Sequence, residues 1–374
     1  MLKLDPKVLQ PYLDYLKMPV SCFCPHWHGR DFEHWNKDTL EHALLLAEAA
    51  GLAGLAAMPN PEPPLTTLEL CRAYMSLADR VIKKYKLSLK FYVHIGLTPN
   101  TEQVKRAIEA TRLEKRIISM KAYWGRSTGS LSIIHEDQQL KVWETLAKEG
   151  YEKVVIGHHE DESLMNDKLF KRDNPITWSL LCRPEIAEIS SYKKHIAMAE
   201  SVKFPGRIHV AHVSTCEVVD LINAYNGPLL RPSCGVTPHH WIFDNTLLNA
   251  PYGCEVKCNP ALRDETTRAG IQRLFFDGKI DLQESDHAPH SEEDKKAETP
   301  ASGLACGSAW PYTVAIMRAL SMNETQVKNV TFGAAVSLFG LTDKVEYKPR
   351  VPDFKKLAEL QKGYHFDPFY MFKA

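Results

Sequence analysis

The sequence predicts an α/β fold with eight parallel strands, that is, a (β/α)8 TIM barrel. Three observations support this prediction. Short apolar runs alternate with longer amphipathic segments, eight of these runs have the length of a strand, and metal-binding residue types follow several of them. Seven strands, or an open doubly wound sheet, would produce a similar pattern.

The predicted strands are apolar runs that end at polar or turn-forming residues. In chain order they are Pro19–Phe23, Leu52–Met58, Leu89–Ile95, Ile117–Tyr123, Lys153–Gly157, Arg207–Ala211, Leu229–Gly235 and Ile280–Glu284.

The predicted helices carry apolar residues at helical spacing. In the first of them Leu40, Ala43, Leu44 and Ala47 form one face, and Gly51 follows at the position of a C-terminal cap. In chain order the helices are Asp38–Ala50, Leu65–Tyr85, Thr101–Lys115, Glu136–Glu149, Glu185–Val202, Cys216–Tyr225 and Gly307–Leu320.

Two segments interrupt the alternation. The polar insert Glu160–Cys182 and the loop Thr299–Gly307 are candidate lids over a site. We find no internal repeat and no low-complexity linker, so residues 1–374 are predicted to form a single domain. The polar tail from about Lys344 is expected to pack outside the barrel.

Composition favours a small-molecule partner. Lys plus Arg and Asp plus Glu both number 46, so no net charge would attract nucleic acid or an acidic membrane. The first residues lack a signal-peptide pattern and no apolar run is long enough to span a bilayer, which predicts a cytoplasmic protein. The nine cysteines include no C-x-x-C pair and are expected to be reduced thiols.

Metal-binding residue types stand at the predicted strand ends, where a barrel carries its chemistry. Two histidines separated by one residue on a strand point to the same side and can share a metal ion. Any one of these residues alone could equally be structural, but five strand ends supply them together. The residues are His26, His28, Lys121, His158, His159, His212 and Asp286. Imidazoles with a carboxylate suit a divalent ion, of which zinc is the best match.

Several motifs, in order from residue 26 to about residue 310, resemble those of dihydroorotases in the amidohydrolase superfamily. H-x-H and the strand lysine are common across the superfamily, whereas the arginine after H-x-H, M-P-N and D-H-A-P-H are more specific to dihydroorotases. The motifs are H-x-H-x-R-D at 26–31, M-P-N at 58–60, the lysine at 121, H-H-E-D at 158–161, H-V-A-H-V-S-T at 209–215, K-C-N-P-A-L-R at 257–263 and D-H-A-P-H at 286–290.

The resemblance implies a metal-dependent amidohydrolase barrel with one or two zinc ions. In the family pattern the ligand of H-x-E-D is its first histidine, and that of H-x-x-H-V-S-T its second. A carbamylated Lys121 would bridge the ions together with hydroxide. The implied ligands are His26, His28 and Asp286 for one ion, and His158 and His212 for the other.

The resemblance also implies a substrate and a reaction. Arg30, Asn60 and His290 match residues that bind a substrate carboxylate, and Asn259 matches one that faces the ring. Asp286 would act as general acid and base while metal-activated hydroxide opens dihydroorotate to N-carbamoyl-aspartate, reversibly, in pyrimidine biosynthesis.

The sequence departs from the family pattern outside the implied ligands. Cys24 stands where an acidic residue is usual, Ala261 where a second proline is usual and Ser285 where threonine is common. The family's β-sandwich extension is expected to be absent or vestigial. Two other functions stay open: another cyclic amidohydrolase, of the hydantoinase or allantoinase type, and an inactive homologue that serves as a scaffolding subunit. Self-association as a homodimer is also left open.

Overall fold

Eight parallel strands form the centre of the molecule, in a computed structural model that describes residues 12, 14–127 and 130–370. Their spatial order is their chain order, β1 to β8, and every neighbouring pair is parallel. The strands are Cys22–Trp27 (β1), Leu52–Ala57 (β2), Lys90–Gly96 (β3), Ile117–Trp124 (β4), Val154–His159 (β5), Arg207–Val210 (β6), Ser233–Val236 (β7) and Leu282–Gln283 (β8).

A contact between the first and last strands closes the barrel. Trp27 pairs with His287 in a parallel bridge, and the backbone N–H of His28 donates to the His287 carbonyl at 2.8 Å. The predicted fold class and number of strands are therefore confirmed.

Helices surround the barrel. Those of the described residues are Leu40–Ala49 (α1), Leu68–Tyr85 (α2), Thr101–Leu113 (α3), Glu136–Lys148 (α4), Glu185–Ser201 (α5), Cys216–Ala224 (α6), Pro238–Ile242 (α7), Glu265–Phe276 (α8), Glu292–Lys296 (α9), Ala309–Ala319 (α10), Glu324–Lys328 (α11), Ala334–Leu338 (α12) and Phe354–Gln361 (α13). Two of them begin later than predicted because threonine side chains cap them: Thr39 accepts from the His42 N–H at 3.2 Å, and Thr67 from the Leu70 N–H at 3.3 Å.

The seventh and eighth strands are shorter than the apolar runs predicted. Pro232 lies inside the run predicted for β7, and because proline has no N–H to donate to a sheet, the strand begins only at Ser233. Before β8, the carboxylate of Asp281 accepts from the Cys234 N–H at 2.8 Å, so a side chain takes the place of a backbone acceptor.

The N-terminal end of the barrel is closed by apolar side chains. A π-helical turn at Asn329–Gly333 and the adjoining α12 contact β1, and the turn also contacts β8. Phe332 and Phe339 from this region share a buried cluster with Phe23 and Leu282 of the strands. Among the described residues, the opposite, C-terminal end is therefore the one left for polar chemistry.

The candidate lid Glu160–Cys182 contains short 3-10 turns and one π-helical turn, Trp178–Cys182. Its last part is anchored to the segment that precedes α8. The Trp178 Nε1–H donates to the Cys258 carbonyl at 2.9 Å, and the Ser179 hydroxyl donates to the Leu262 carbonyl at 2.6 Å. A lid movement in this segment would thus have to lie before Trp178.

The tail beyond residue 344 contacts the segment just before β1 and helix α1. Arg350 exchanges backbone hydrogen bonds with Val20 at 2.9 Å, and α13 packs on α1. The Tyr364 hydroxyl lies 3.0 Å from Asp38 Oδ2 and 3.1 Å from His287 Nε2. Because His287 Nδ1 accepts from the Gly307 N–H at 2.9 Å, its Nε2 carries the proton and donates toward Tyr364 and Asp38.

No helix of the described residues is long and apolar enough to cross a membrane.

Tyr364→Phe tests whether this buried contact stabilises the fold. Loss of the hydroxyl leaves the buried Asp38 carboxylate with one donor fewer, so we expect the free energy of unfolding to fall by about 1–3 kcal/mol in urea titrations. Tyr85→Phe is the matched control, because the Tyr85 hydroxyl also donates to a carboxylate, that of Glu41, but at the surface. That variant should change stability by about 0.5 kcal/mol or less. Equal effects of the two substitutions would contradict the assignment.

Candidate metal centre and active site

Three donor atoms converge at the closure of the barrel. His26 Nε2 lies 3.2 Å from His28 Nε2, and Asp286 Oδ1 lies 3.1 Å from the former and 2.9 Å from the latter. All three side chains are buried. Two imidazoles and one carboxylate that meet at a point away from water form a donor set that fits a divalent cation.

A second pair of donors lies beside the first group. His158 Nδ1, at the end of β5, is 3.1 Å from His212 Nε2, which follows β6. The rings of His26 and His212 are 5.2 Å apart between centroids, so the two groups adjoin. Glu160 accepts from His158 Nε2 at 2.9 Å and thereby directs the Nδ1 lone pair toward His212. His158 Nδ1 and His212 Nε2 are thus placed as two candidate ligands beside the first group.

The other two histidines of these motifs lie elsewhere. His159 packs in the helical layer, where its ring contacts those of Tyr192 and His195. His209 points into the barrel and bonds Ser233 Oγ through Nδ1 at 2.9 Å. The resemblance implied that neither His159 nor His209 is a ligand. Neither ring lies among the converging donors.

Lys121 is fully buried in β4, and its Nζ has no hydrogen-bond partner among the described residues. Burial lowers the pKa of this amine to about 8, although the nearby carboxylates of Glu284 and Asp286 favour the ammonium form. Burial therefore favours the neutral amine relative to an exposed lysine. A neutral, unpartnered amine is the form that reacts with carbon dioxide, so Lys121 fits the bridging role that the resemblance implies.

Two of the candidate ligands have left-handed backbone conformations. His212 has φ of 41° and Asp286 has φ of 44°. Residues other than glycine rarely adopt such angles, and each costs on the order of 1–3 kcal/mol unless its surroundings impose it. Both residues lie in the turns shortly after a strand, His212 after β6 and Asp286 after β8, and both side chains are buried at the barrel mouth.

The pKa shifts of His28 and Asp286 suit metal binding, which requires neutral imidazoles and ionised carboxylates. Burial lowers the pKa of His28 to about 4. Burial alone would raise the pKa of Asp286, but the neighbouring His26 and His28 hold it well below its usual value. The pKa of His26 shifts in the opposite direction from that of His28. Burial lowers it, but the carboxylates of Glu284 and Asp286 raise it above the usual value. A cation bound at His26 would take the place of that proton.

A small cleft opens above the donors. Arg30 and Asn60 line it at one side, and Asn259 lines it as well. The Oδ1 atom of Asn259 is buried and has no hydrogen-bond partner among the described residues. The cleft therefore offers a guanidinium and an uncommitted amide oxygen beside the converging donors.

Two of the predicted carboxylate-binding residues have other contacts as well. Asn60 Oδ1 accepts from His28 Nδ1 at 2.5 Å, which fixes the tautomer of that imidazole. His290 does not line the cleft; its Nε2 lies 3.5 Å behind Arg30 Nη2 and 3.1 Å from the Ser302 carbonyl. His290 thus supports Arg30, whose Nε also donates to the Pro289 carbonyl at 3.2 Å.

Sequence reasoning missed two residues that signals in the chain could have identified. Tyr123 lines the cleft, and its buried hydroxyl has no partner among the described residues. It lies two positions after Lys121, so strand alternation directs both toward the same side. Glu284 is a charged residue at the end of a predicted strand, two positions before Asp286. The same alternation places its carboxylate beneath the donors.

Another cluster of metal-ligand types lies near the mouth of the barrel and comprises His239, His240 and Cys258. Both ring nitrogens of His240 are already engaged: Nδ1 lies 2.7 Å from Thr237 Oγ1, and Nε2 lies 3.1 Å from the Pro260 carbonyl. With that imidazole committed, the cluster offers too few free donors for a metal ion.

Sequence comparison identifies dihydroorotases among the relatives of this chain, although no protein-family model matches it. It is 26% identical over 339 residues to the dihydroorotase of Halobacterium salinarum, which covers 88% of this chain and 74% of that protein. It is 29% identical over 272 residues to the dihydroorotase of Thermococcus kodakarensis, with 73% of this chain and 56% of that protein covered. The chain thus spans little more than half of the latter relative.

Structural comparison shows the same barrel in cyclic amidohydrolases. L-Hydantoinase from Arthrobacter aurescens superposes with a TM-score of 0.73 at 17% identity, over 88% of this chain and 73% of that one. Dihydroorotase from Saccharomyces cerevisiae, in complex with 5-fluoroorotic acid, superposes with a TM-score of 0.68 at 15% identity, over 87% and 85%. The chain therefore shares its barrel fold with these cyclic amidohydrolases, and curated dihydroorotases are among its sequence relatives.

Proposed function

We propose that this chain is a dihydroorotase, which reversibly hydrolyses the cyclic amide of dihydroorotate to N-carbamoyl-aspartate. The observation that carries the proposal is the position of Arg30. Its side chain lines the cleft that His26, His28 and Asp286 also line, and Arg30 is only 2% exposed. A buried guanidinium beside a hydrolytic centre suits a substrate whose ring bears a carboxylate.

The donor set supports a metal-dependent mechanism with zinc as the best-fitting ion. His26, His28 and Asp286 would hold one ion and His158 and His212 a second, with a carbamylated Lys121 between them. When bound, these ions would lower the pKa of the attacking water and polarise the amide carbonyl. The buried, unpartnered Nζ of Lys121 is the observation that favours carbamylation.

The protein groups have separate tasks in the reaction. Arg30 binds the substrate carboxylate, and the free Oδ1 of Asn259 accepts a hydrogen bond from a ring N–H, which together orient the ring. Asp286 takes the proton of the attacking water and gives it to the ring nitrogen when the amide bond breaks. The low pKa of Asp286 keeps it ionised and ready to accept that proton. In the reverse direction the same carboxyl group returns the proton as the ring closes and water leaves.

An assay of the purified chain tests the function directly. We expect turnover of dihydroorotate and cyclisation of N-carbamoyl-aspartate, with bound zinc measured on the same sample. Hydantoin and allantoin serve as comparison substrates, because they share the cyclic amide but lack the carboxylate. Turnover of either without turnover of dihydroorotate would indicate a different cyclic amidohydrolase. Absence of both zinc and activity, after zinc and bicarbonate are added, would indicate an inactive homologue.

Arg30→Lys tests carboxylate recognition. Lysine keeps the charge but loses the planar pair of donors, so we expect the KM for dihydroorotate to rise by roughly 10-fold to 100-fold, with a smaller change in kcat. Arg126→Lys is the control, because Arg126 is exposed and pairs with Glu162 outside the cleft. An unchanged KM in Arg30→Lys would count against the carboxylate role.

Lys121→Ala tests the bridge between the two donor groups. We expect activity to be lost, since no other described side chain can bridge the groups from β4, and a short carboxylic acid in the buffer should restore part of it. Lys153→Ala is the control, because Lys153 precedes β5 at the opposite end of the barrel and donates to the Thr111 carbonyl. Near-normal turnover in Lys121→Ala would refute the bridge.

A further inference from the structure

We propose that Glu284 is a positioning residue that holds one ligand of each donor group, His26 and His212, in its metal-binding geometry. The inference rests on the proposed function, because it assumes that these groups bind metal. Glu284 follows β8 and is 1% exposed, so its carboxylate lies inside the barrel directly beneath the donors.

The first contact determines the tautomer of His26. Glu284 Oε2 lies 3.2 Å from His26 Nδ1. An ionised carboxylate can only accept, so Nδ1 carries the proton and Nε2 carries the lone pair. It is Nε2 that lies within 3.2 Å of His28 Nε2 and 3.1 Å of Asp286 Oδ1. Glu284 thereby presents the His26 lone pair to the point where the other donors converge.

The second contact supports the turn that carries His212. Glu284 Oε1 accepts a hydrogen bond from the backbone N–H of His212. His212 has φ of 41°, a conformation that requires external support. The same turn brings His212 Nε2 to 3.1 Å from His158 Nδ1. One carboxyl group therefore joins β1, β6 and β8 and couples the geometry of the two donor groups.

An independent observation is the space that β7 leaves for this carboxyl group. A Cβ atom on Gly235 would lie 2.9 Å from Glu284 Cδ and 3.0 Å from its Oε1, and it would also lie 2.9 Å from Leu282 Cδ1. The Glu284 carboxylate and the Leu282 side chain would therefore both have to shift. The backbone of Gly235 is that of an ordinary strand residue, so the lack of a side chain there serves space and not conformation. Glycine at 235 and glutamate at 284 form a matched pair across β7 and β8.

The residue two positions before His26 supplies no carboxylate in this chain. The resemblance leads one to expect an acidic residue two positions before His26, and Cys24 occupies that position. Its thiol donates to the His26 backbone carbonyl at 3.2 Å and lies 3.1 Å from Ser285 Oγ. A carboxylate nevertheless reaches the His26 ring, from the facing strand β8.

Zinc titration of the metal-free protein tests the inference, with affinity measured against a competing chelator. In Glu284→Gln we expect zinc affinity to fall by about 10-fold to 100-fold, because the amide can donate to His26 Nδ1 and favour the wrong tautomer. The melting temperature of the metal-free variant, measured in parallel, reports whether the barrel still folds. Asp367→Asn is the matched control: Asp367 is also a buried carboxylate, but it accepts from Ser308 and Gln361 and not from a candidate ligand, so its substitution should leave zinc affinity within about two-fold.

A double-mutant cycle separates positioning from a general effect on packing. Gly235→Ala should weaken zinc binding in the wild-type background, because the added methyl displaces the Glu284 carboxylate. In a Glu284→Ala background the same substitution should have no further effect on affinity. If Glu284→Ala proves too unstable, Glu284→Asp provides the shortened side chain for the same comparison.

These experiments distinguish a failure of the Glu284 proposal from a failure of the proposed function. Dihydroorotate turnover by the wild type, together with unchanged zinc affinity in Glu284→Gln, would overturn the role of Glu284 alone. A wild type that binds zinc but does not turn over dihydroorotate would overturn the functional proposal, while the affinity ratio would still support Glu284. A wild type that binds no zinc would overturn both.

Discussion

Closure between β1 and β8 is the constraint on which the candidate site depends. The backbone hydrogen bond from His28 to His287, at 2.8 Å, brings the last strand beside the first. In an open sheet of the same strand order, the two would be edge strands roughly 34 Å apart, because seven spacings of about 4.8 Å separate them. His26 and His28 would then be remote from Asp286. The donor group can therefore form only when the barrel closes.

The loop after β8 connects that closure to the outside of the barrel. His287 faces away from the donors, where its ring lies 4.4 Å from that of Trp27 and its Nε2 contacts Tyr364 and Asp38. The preceding residue, Asp286, faces the donors. Helix α1 and the tail therefore support the loop that carries the proposed acid and base, and a contact far from the substrate contributes to its position.

The mouth of the barrel holds several buried polar atoms without partners among the described residues, including Lys121 Nζ, the Tyr123 hydroxyl and Asn259 Oδ1. Each costs on the order of 1–3 kcal/mol relative to a bonded group. The N-terminal end of the same barrel is filled by aromatic and aliphatic side chains. The N-terminal end of the barrel thus stabilises the fold, whereas polar atoms at the C-terminal end remain available to bind a ligand.

The sequence by itself determined the fold class and most of the residue types at the site. Eight apolar runs with helical crossovers predict a parallel barrel because local periodicity and chain connectivity restrict the topology. The position of His26, His28, Lys121 and Asp286 at strand ends then predicts that they meet. These inferences need only rules that act along the chain.

Only the tertiary structure decided how these residues are held. The contacts of Glu284 with His26 and His212 join strands far apart in sequence, and no local pattern encodes them. The position of His290 was likewise not encoded by a local pattern. The sequence predicted that it binds substrate, and the structure places its Nε2 3.5 Å from Arg30 Nη2. Tautomers, supporting hydrogen bonds and the space at Gly235 depend on which side chains face each other across the closed barrel, and that is settled by packing in three dimensions.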